Sequence, residues 1–299
     1  MANRPAQYID PAVLAKVDNY SFLARTIIEG FIAGLHRSLY HGFGSEFVQY
    51  RNYSAGDDLK YVDWKVFARH DKYQMKVFQE ETNTNCYIVL DVSASMEYTG
   101  THGISKLHYA KIIAACIAYL VNRQGDNVGF YAYSDKVHTG VPPGHRSGQV
   151  HQICTELSRL EAGGGCDHAA VLNYLGESFN RRGIVVMISD FLDTDTDMLK
   201  GLRHFRFAHH DCILFQVLDD DELDFDFKST MRFVDSETGA EIITSPDIVR
   251  QEYLERFGRE LEELQSFCSR SNIDYHQLRS SQPLASSLTA YLNRREKFR

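Results

Sequence analysis

The chain has 299 residues, 43% of them hydrophobic and 24% charged, and a net charge of −8. That size supports one large core with or without a smaller appendage, while the acidic balance and the lack of a basic face argue against a general nucleic-acid binder, which must neutralise phosphate. No run reaches the roughly 18 apolar residues of a membrane span, residues 112–121 being the longest, and the N-terminus lacks a signal-peptide layout, so the expected compartment is the cytoplasm with no membrane span.

Residues 1–80 are expected to form a helix and β-ribbon appendage, and residues 81–299 the main domain. In the first part a helical stretch at residues 22–35 precedes Gly42 and Gly44 and a segment rich in aromatic and charged side chains. Gly56 permits a tight turn, Asp57 and Asp58 can cap or pair, and Arg51 and Arg69 are natural bidentate partners for Asp63. Trp64, the one tryptophan, is expected as a buried anchor. Together these residues read as an ion-paired clasp between appendage and sheet, or as a docking surface for a partner. No repeat, low-complexity tract or proline-rich linker marks a hinge.

From about residue 85, short β-branched runs alternate with longer amphipathic stretches, the pattern of a doubly wound, mainly parallel sheet of about six strands with helices on both faces. Residues 86–91 (CYIVLD), 128–133 (VGFYAY), 184–189 (IVVMIS) and 212–218 (CILFQVL) are near-continuous apolar runs suited to strands buried on both faces. Residues 231–234 and 273–278 are weaker, edge-type candidates. Residues 105–123 place Leu107, Ala110, Ala114, Ile117 and Val121 on one helical face, with Ser105 as cap. Further helical patterns cover 148–160, 169–181, 197–207, 247–269 and 283–294. The acidic run Asp219-Asp220-Asp221-Glu222 lacks the glycine and ligand spacing of a calcium loop and reads as a solvated loop. The six cysteines show no C-x-x-C pair, and most fit the core as reduced thiols.

The chemistry-bearing signal is Asp91-Val92-Ser93-Ala94-Ser95, a D-x-S-x-S sequence where the first apolar strand ends. Ligands of open α/β sheets gather at the carboxyl ends of strands, and a carboxylate with two hydroxyls is a hard oxygen set suited to Mg²⁺. Asp and Ser are also common turn formers and caps, so the motif alone is weak. A second strand ending in Ser189-Asp190 and a glycine-rich loop, Gly163-Gly164-Gly165-Cys166-Asp167, strengthen it by offering two further loops to one ion.

These residues resemble the von Willebrand factor A fold, whose metal-ion-dependent adhesion site takes D-x-S-x-S, a threonine from a second loop and an aspartate from a third. Asp91, Ser93, Ser95 and Asp190 match that pattern. The resemblance places Cys166 where the family has its threonine, and a thiol is a poor partner for Mg²⁺; either Asp167 substitutes through a water, or the metal is weak or lost. More narrowly, Arg51-Asn52-Tyr53-Ser54-Ala55-Gly56-Asp57-Asp58, Val62-Asp63-Trp64 and Ala68-Arg69 resemble the signature of the domain-of-unknown-function-58 family. The likeness extends through Ile188-Ser189-Asp190-Phe191 and Asp219-x-x-Glu222 to Tyr291-Leu292-x-Arg294. It implies a role beside MoxR-type AAA+ ATPases in maturing or activating other complexes.

The expected function is therefore a non-catalytic, metal-dependent protein-interaction module: Mg²⁺ or Mn²⁺ held by Asp91, Ser93, Ser95 and Asp190, and a partner supplying an Asp or Glu. A metal-independent scaffold is the main alternative. A Mg²⁺-dependent phosphohydrolase would need a second acid where Ser93 stands, and nucleotide binding would need a phosphate loop after a strand, which is missing. A zinc site from His151, Cys154, Cys166 and His168 matches no familiar spacing; core thiols and surface histidines are the expectation there.

Overall fold

The four apolar runs that read as doubly buried strands form the centre of a six-stranded sheet. The computed structural model describes residues 17, 19–34, 49–52, 62–70, 73–77, 84–192, 195–284, 288–289 and 291–293. The chain divides into two compact units, Met1–Gly34 with Thr84–Arg299, and Leu35–Asn83. Helix α1 (Tyr20–Gly34) thus groups with the sheet rather than with the segment expected as an appendage.

The smaller unit contains β1 (Gln49–Asn52), α2 (Trp64–His70) and β2 (Gln74–Val77). Strands β1 and β2 pair antiparallel. Asp63 caps α2, its Oδ1 accepting the Val66 N–H at 3.3 Å, as a short acceptor before a helix should. Trp64 is a correction to the sequence reading: it is 54% exposed rather than a buried anchor. It opens α2, where its ring lies edge-on to Phe67, which in turn stacks on Tyr73. Arg69 is exposed and Arg51 lies in β1; Tyr53, Gly56, Asp57 and Asp58 fall outside the described residues.

In the larger unit the strands are β3 (Asn85–Asp91), β4 (Asn127–Tyr133), β5 (Val137–Gly144), β6 (Gly183–Ser189), β7 (Asp211–Leu218) and, after β8 (Met231–Val234) and β9 (Glu241–Thr244), β10 (Asp274–Arg279). Their order in the main sheet is β10-β7-β6-β3-β4-β5. All neighbours are parallel except β4 and β5. Every residue of β3 and β6 is buried, which is why these strands read as continuous apolar runs rather than alternating ones.

Helices α3 (Lys106–Arg123), α4 (Gln149–Arg159), α5 (His168–Ser178), α6 (Thr196–Phe207) and α8 (Pro246–Arg270) flank the sheet, with the short α7 (Asp220–Asp224) following β7. One face carries Tyr87, Val89, Val185, Met187 and Leu214 against Leu172 and Leu175 of α5, Phe205 of α6 and Leu264 of α8. The alternate strand residues Ile88, Leu90, Phe130, Val186 and Ile213 are equally buried and point to the other face. That face meets α3, buried on nearly every side. Each such side chain contributes about 1.5–3 kcal/mol by leaving water. Ser105 caps α3 as expected, accepting from His108 N.

Two elements differ from the sequence reading. Strand β5 has exposed and buried residues mixed and contains Pro142 and Pro143, which an edge strand tolerates because proline cannot donate to a ladder on both sides. Residues 231–234 do not join the main sheet; β8 pairs with β9 in a separate hairpin. The helical pattern at 283–294 falls only in part on described residues, where Leu288 and Tyr291 are buried.

Candidate metal centre

The chain direction of the sheet selects one crevice. From β3 the chain moves outward through β4 to β5, then returns to the opposite flank of β3 and continues outward through β6, β7 and β10. The connections therefore diverge between β3 and β6, and at their carboxyl ends lies the topological switch point where open α/β sheets hold ligands. Asp91 ends β3, Ser189 ends β6 and Asp190 is the first residue after it.

The loops around that crevice are laced by backbone hydrogen bonds. Val92 N donates to Tyr133 O at 2.7 Å, Ala94 N to Gly164 O at 3.0 Å, Gly163 N to Val92 O at 2.9 Å and Asp167 N to Ser134 O at 3.2 Å. Gly164 sits at φ +77°, a left-handed conformation that favours glycine, and this turn directs its carbonyl to the D-x-S-x-S loop.

Four residues singled out from the sequence come together. Asp91 Oδ1 accepts from Ser93 N at 2.8 Å, and Oδ2 accepts from Ser189 Oγ at 2.6 Å. Ser93 Oγ and Ser95 Oγ are 3.1 Å apart, and the Ser95 hydroxyl is hydrogen-bonded to the Asp190 carboxylate. Asp91, Ser93 and Asp190 are buried, and Ser95 is half-buried. The turn that aims Asp190 is strained, since the next residue, Phe191, is a buried non-glycine at φ 48°; its N–H is held by Ser189 Oγ at 3.0 Å.

The glycine loop divides its two candidates. Asp167 is exposed and caps α5, its Oδ1 accepting from Ala170 N at 2.9 Å. Cys166 turns inward, with Sγ 3.9 Å from Asp91 Oδ2 and 3.4 and 3.5 Å from the ring nitrogens of His168. His168, expected as a surface histidine, is 5% exposed. His151 is exposed and Cys154 buried, and neither joins the group formed by Asp91, Cys166 and His168.

Two participants escaped the sequence reading. Lys106, the first residue of α3, is wholly buried, and its Nζ donates to Asp190 Oδ2 at 2.8 Å and to Glu222 Oε1 at 2.6 Å. Glu222 belongs to the acidic run expected as a solvated loop; instead the run is the start of α7, and Asp219 is fully buried. Asp219 Oδ1 accepts from Asp221 N, Glu222 Oε2 accepts from Asp219 N at 2.8 Å, and Ser280 Oγ donates to Asp219 Oδ2 at 2.7 Å. The available signal was the D-x-x-E spacing directly after an apolar strand, the pattern of a capping box.

Electrostatically the two aspartates diverge. Burial pushes the Asp91 carboxyl above its usual range, against the hydrogen bonds from Ser189 and Ser93. Burial acts on Asp190 in the same sense, but the Lys106 ammonium outweighs it and holds that carboxyl below the usual range.

Above these groups lies a cavity of about 670 Å³ lined by Ser95, Lys106, Cys166, His168, Asp190 and Glu237, among others. Glu237 lies in the turn of the β8–β9 hairpin, and its Oε2 accepts from Cys166 N at 3.4 Å. The hard oxygens of Asp91, Ser93, Ser95 and Asp190 fit a divalent cation, and the thiol and imidazole beside Asp91 fit one with softer preferences.

Residues 49–263 match a protein family described as "Protein of unknown function DUF58". The uncharacterized protein Rv1480 of Mycobacterium tuberculosis is 30% identical over 237 residues, covering 77% of this chain and 73% of that protein. The uncharacterized protein Mb1516 of Mycobacterium bovis matches to the same extent. Among solved structures, the conserved hypothetical protein BatB from Bacteroides thetaiotaomicron aligns with 72% of this chain and 99% of its own at 13% identity and a TM-score of 0.47. An aerotolerance-related membrane protein from Bacteroides fragilis aligns with 71% of this chain and 99% of its own at 15% identity and a TM-score of 0.44. Among the described residues of the present chain, no helix is long and apolar enough to cross a membrane.

Proposed function

The chain belongs to the DUF58 family, and from that premise and the geometry of the sheet edge we propose that it is a non-catalytic, metal-dependent protein-interaction module of the von Willebrand factor A type. The observation that carries the reading is the convergence of Asp91, Ser93, Ser95 and Asp190 at the switch point of the sheet, beneath an open cavity. In this reading Ser93 and Ser95 hold a divalent cation such as Mg²⁺ or Mn²⁺ directly, and Asp91 and Asp190 do so directly or through water. The cation, when bound, supplies a Lewis-acidic point for a carboxylate from outside. The chain's own residues exclude bulk water below it and fix the donors: Ser189 orients Asp91, and Lys106 orients Asp190. The partner class is a cytoplasmic protein offering an Asp or Glu, and a MoxR-type AAA+ ATPase is the one we propose.

A metal-independent scaffold is a second reading, favoured by one observation: the Lys106 ammonium already supplies a cation to Asp190. The two separate in a binding experiment with a purified MoxR-type ATPase, run with Mg²⁺ and with chelator, for the native chain and Asp91→Ala. The metal-dependent reading expects binding only with Mg²⁺ and none for Asp91→Ala, with the circular dichroism of the variant unchanged. Equal binding under all conditions would support the scaffold.

A further inference from the structure

We infer that the ion this centre selects is of the Zn²⁺ class, held by Cys166 Sγ, His168 Nε2 and the Asp91 carboxylate, with a fourth position open to the cavity. The inference rests on the proposed metal-dependent reading of the site and changes its ion and ligands: Zn²⁺ in place of Mg²⁺ or Mn²⁺, and Cys166 and His168 with Asp91 in place of Ser93, Ser95 and Asp190.

Geometry comes first. One ligand atom each from Asp91, Cys166 and His168 lies within 4.8 Å of the other two. A tetrahedral zinc with bonds of about 2.3 Å to sulfur and about 2.0–2.1 Å to nitrogen or oxygen sets sulfur roughly 3.6 Å from each of its neighbours. Cys166 Sγ stands 3.9 Å from Asp91 Oδ2 and 3.4 and 3.5 Å from Nδ1 and Nε2 of His168, so the three donors already cluster, and rotation of the Cys166 or His168 side chain is what brings the sulfur to the Nε2 side of the ring.

Orientation comes second. A ligating imidazole is normally fixed through its other nitrogen, and Tyr133 Oη lies 3.1 Å from His168 Nδ1. That contact engages Nδ1 and leaves Nε2 for the ligand set, while Phe191 lies against the ring at a centroid distance of 5.6 Å. For Asp91 the corresponding part falls to Ser93 N, which holds Oδ1 at 2.8 Å, while Ser189 Oγ lies on the Oδ2 that faces Cys166.

Charge and donor type come third. On ligation the Cys166 thiol loses its proton to solvent; thiolate and Asp91 carboxylate together carry two negative charges, which a divalent ion balances. For a nitrogen and sulfur donor set, Zn²⁺ outcompetes Mn²⁺, and Mg²⁺ is disfavoured because it needs octahedral oxygen. Three protein ligands below a cavity are the layout of zinc centres that keep an exchangeable ligand, whereas structural centres are closed by four. In the proposed module that exchangeable position is the one a partner's carboxylate takes.

The test uses the full-length chain freed of metal by chelator and titrated with Co²⁺, the spectroscopic stand-in for Zn²⁺. The native chain should give a near-ultraviolet thiolate-to-cobalt charge-transfer band at one equivalent, bleached by one equivalent of Zn²⁺. Cys166→Ser should lose the band, and His168→Leu should weaken Co²⁺ binding by roughly tenfold or more. Cys166→Thr should lose the band but retain Mg²⁺ or Mn²⁺ binding, read by calorimetry, which also shows that a variant at this position still folds. Cobalt binding that lacks the band and is unaffected by Cys166→Ser, yet is lost in Ser93→Ala, would overturn the zinc assignment and leave the metal-dependent reading standing. Failure of Co²⁺, Zn²⁺, Mg²⁺ and Mn²⁺ alike to bind would overturn both.

Discussion

Asp91 and Asp190 stand at the ends of neighbouring strands, are both buried, and both face the same crevice, yet their surroundings differ in kind. Asp91 is met by hydroxyls, a thiol and an imidazole; Asp190 is met by the ammonium of Lys106. The first carboxyl is held above its usual range by burial, and the second, despite burial, below it by Lys106. One edge of a sheet therefore carries a lysine-paired half, Lys106 with Asp190 and Glu222, beside a half in which Asp91 faces the His168 ring instead. In the proposed module the Asp91 half would give an external cation its main hold, while Lys106 fixes the position of Asp190.

The strongest challenge to this comparison is Lys106→Met. It leaves the Asp190 and Glu222 carboxylates without their shared partner, and removing one member of a buried ion pair costs about 3–5 kcal/mol. A fall of that size in the urea-unfolding free energy is expected, and an unchanged value would dissolve the distinction between the halves.

The pH dependence of stability, measured in chelator, sharpens it. Because the folded-state pKa of Asp190 is lowered, its contribution is present above the unfolded value of about 3.9 and is lost as pH falls below that through the folded value. Because that of Asp91 is raised, folding is favoured most below about 3.9 and weakens as pH climbs from there through the folded value. Asp190→Asn should thus remove part of the acid-side loss, and Asp91→Asn part of the decline on the way to neutrality. Flattening of the same limb by both variants would count against two separate environments. The smallest effect belongs to the rim: His102 and Asp220 approach to 2.9 Å, but His102 is half exposed, so His102→Ala should change stability by less than about 1 kcal/mol. A larger loss would mean that the lysine-paired half extends to the surface.

The same contrast separates what could be read in the chain from what could not. Asp91, Ser93 and Ser95 are legible because a strand end and the loop after it are local, and their two-residue spacing is written in consecutive positions. Lys106 and Asp190 are 84 residues apart, and Lys106 and Glu222 116 apart; a lysine at the start of an amphipathic helix and an acid in a polar run each have an ordinary solvated explanation until the fold brings them together. Trp64 misleads in the opposite direction, because its size argues for burial and nothing local reveals that the first turn of α2 leaves it exposed. Strand β5 was hidden by its prolines and mixed exposure.

What the sequence determined by itself is the four central strands and β10, the helices between them and the strand end at Asp91, because hydrophobic periodicity and capping act over a few residues. Tertiary structure alone decided the strand order, hence the switch point between β3 and β6, and with it that Asp91 gains Cys166 and His168 while Asp190 gains Lys106. Those pairings depend on which chain reversals cross the sheet, and burial then turns each contact into a strong one, since charges and donors removed from water must find their partners inside the protein.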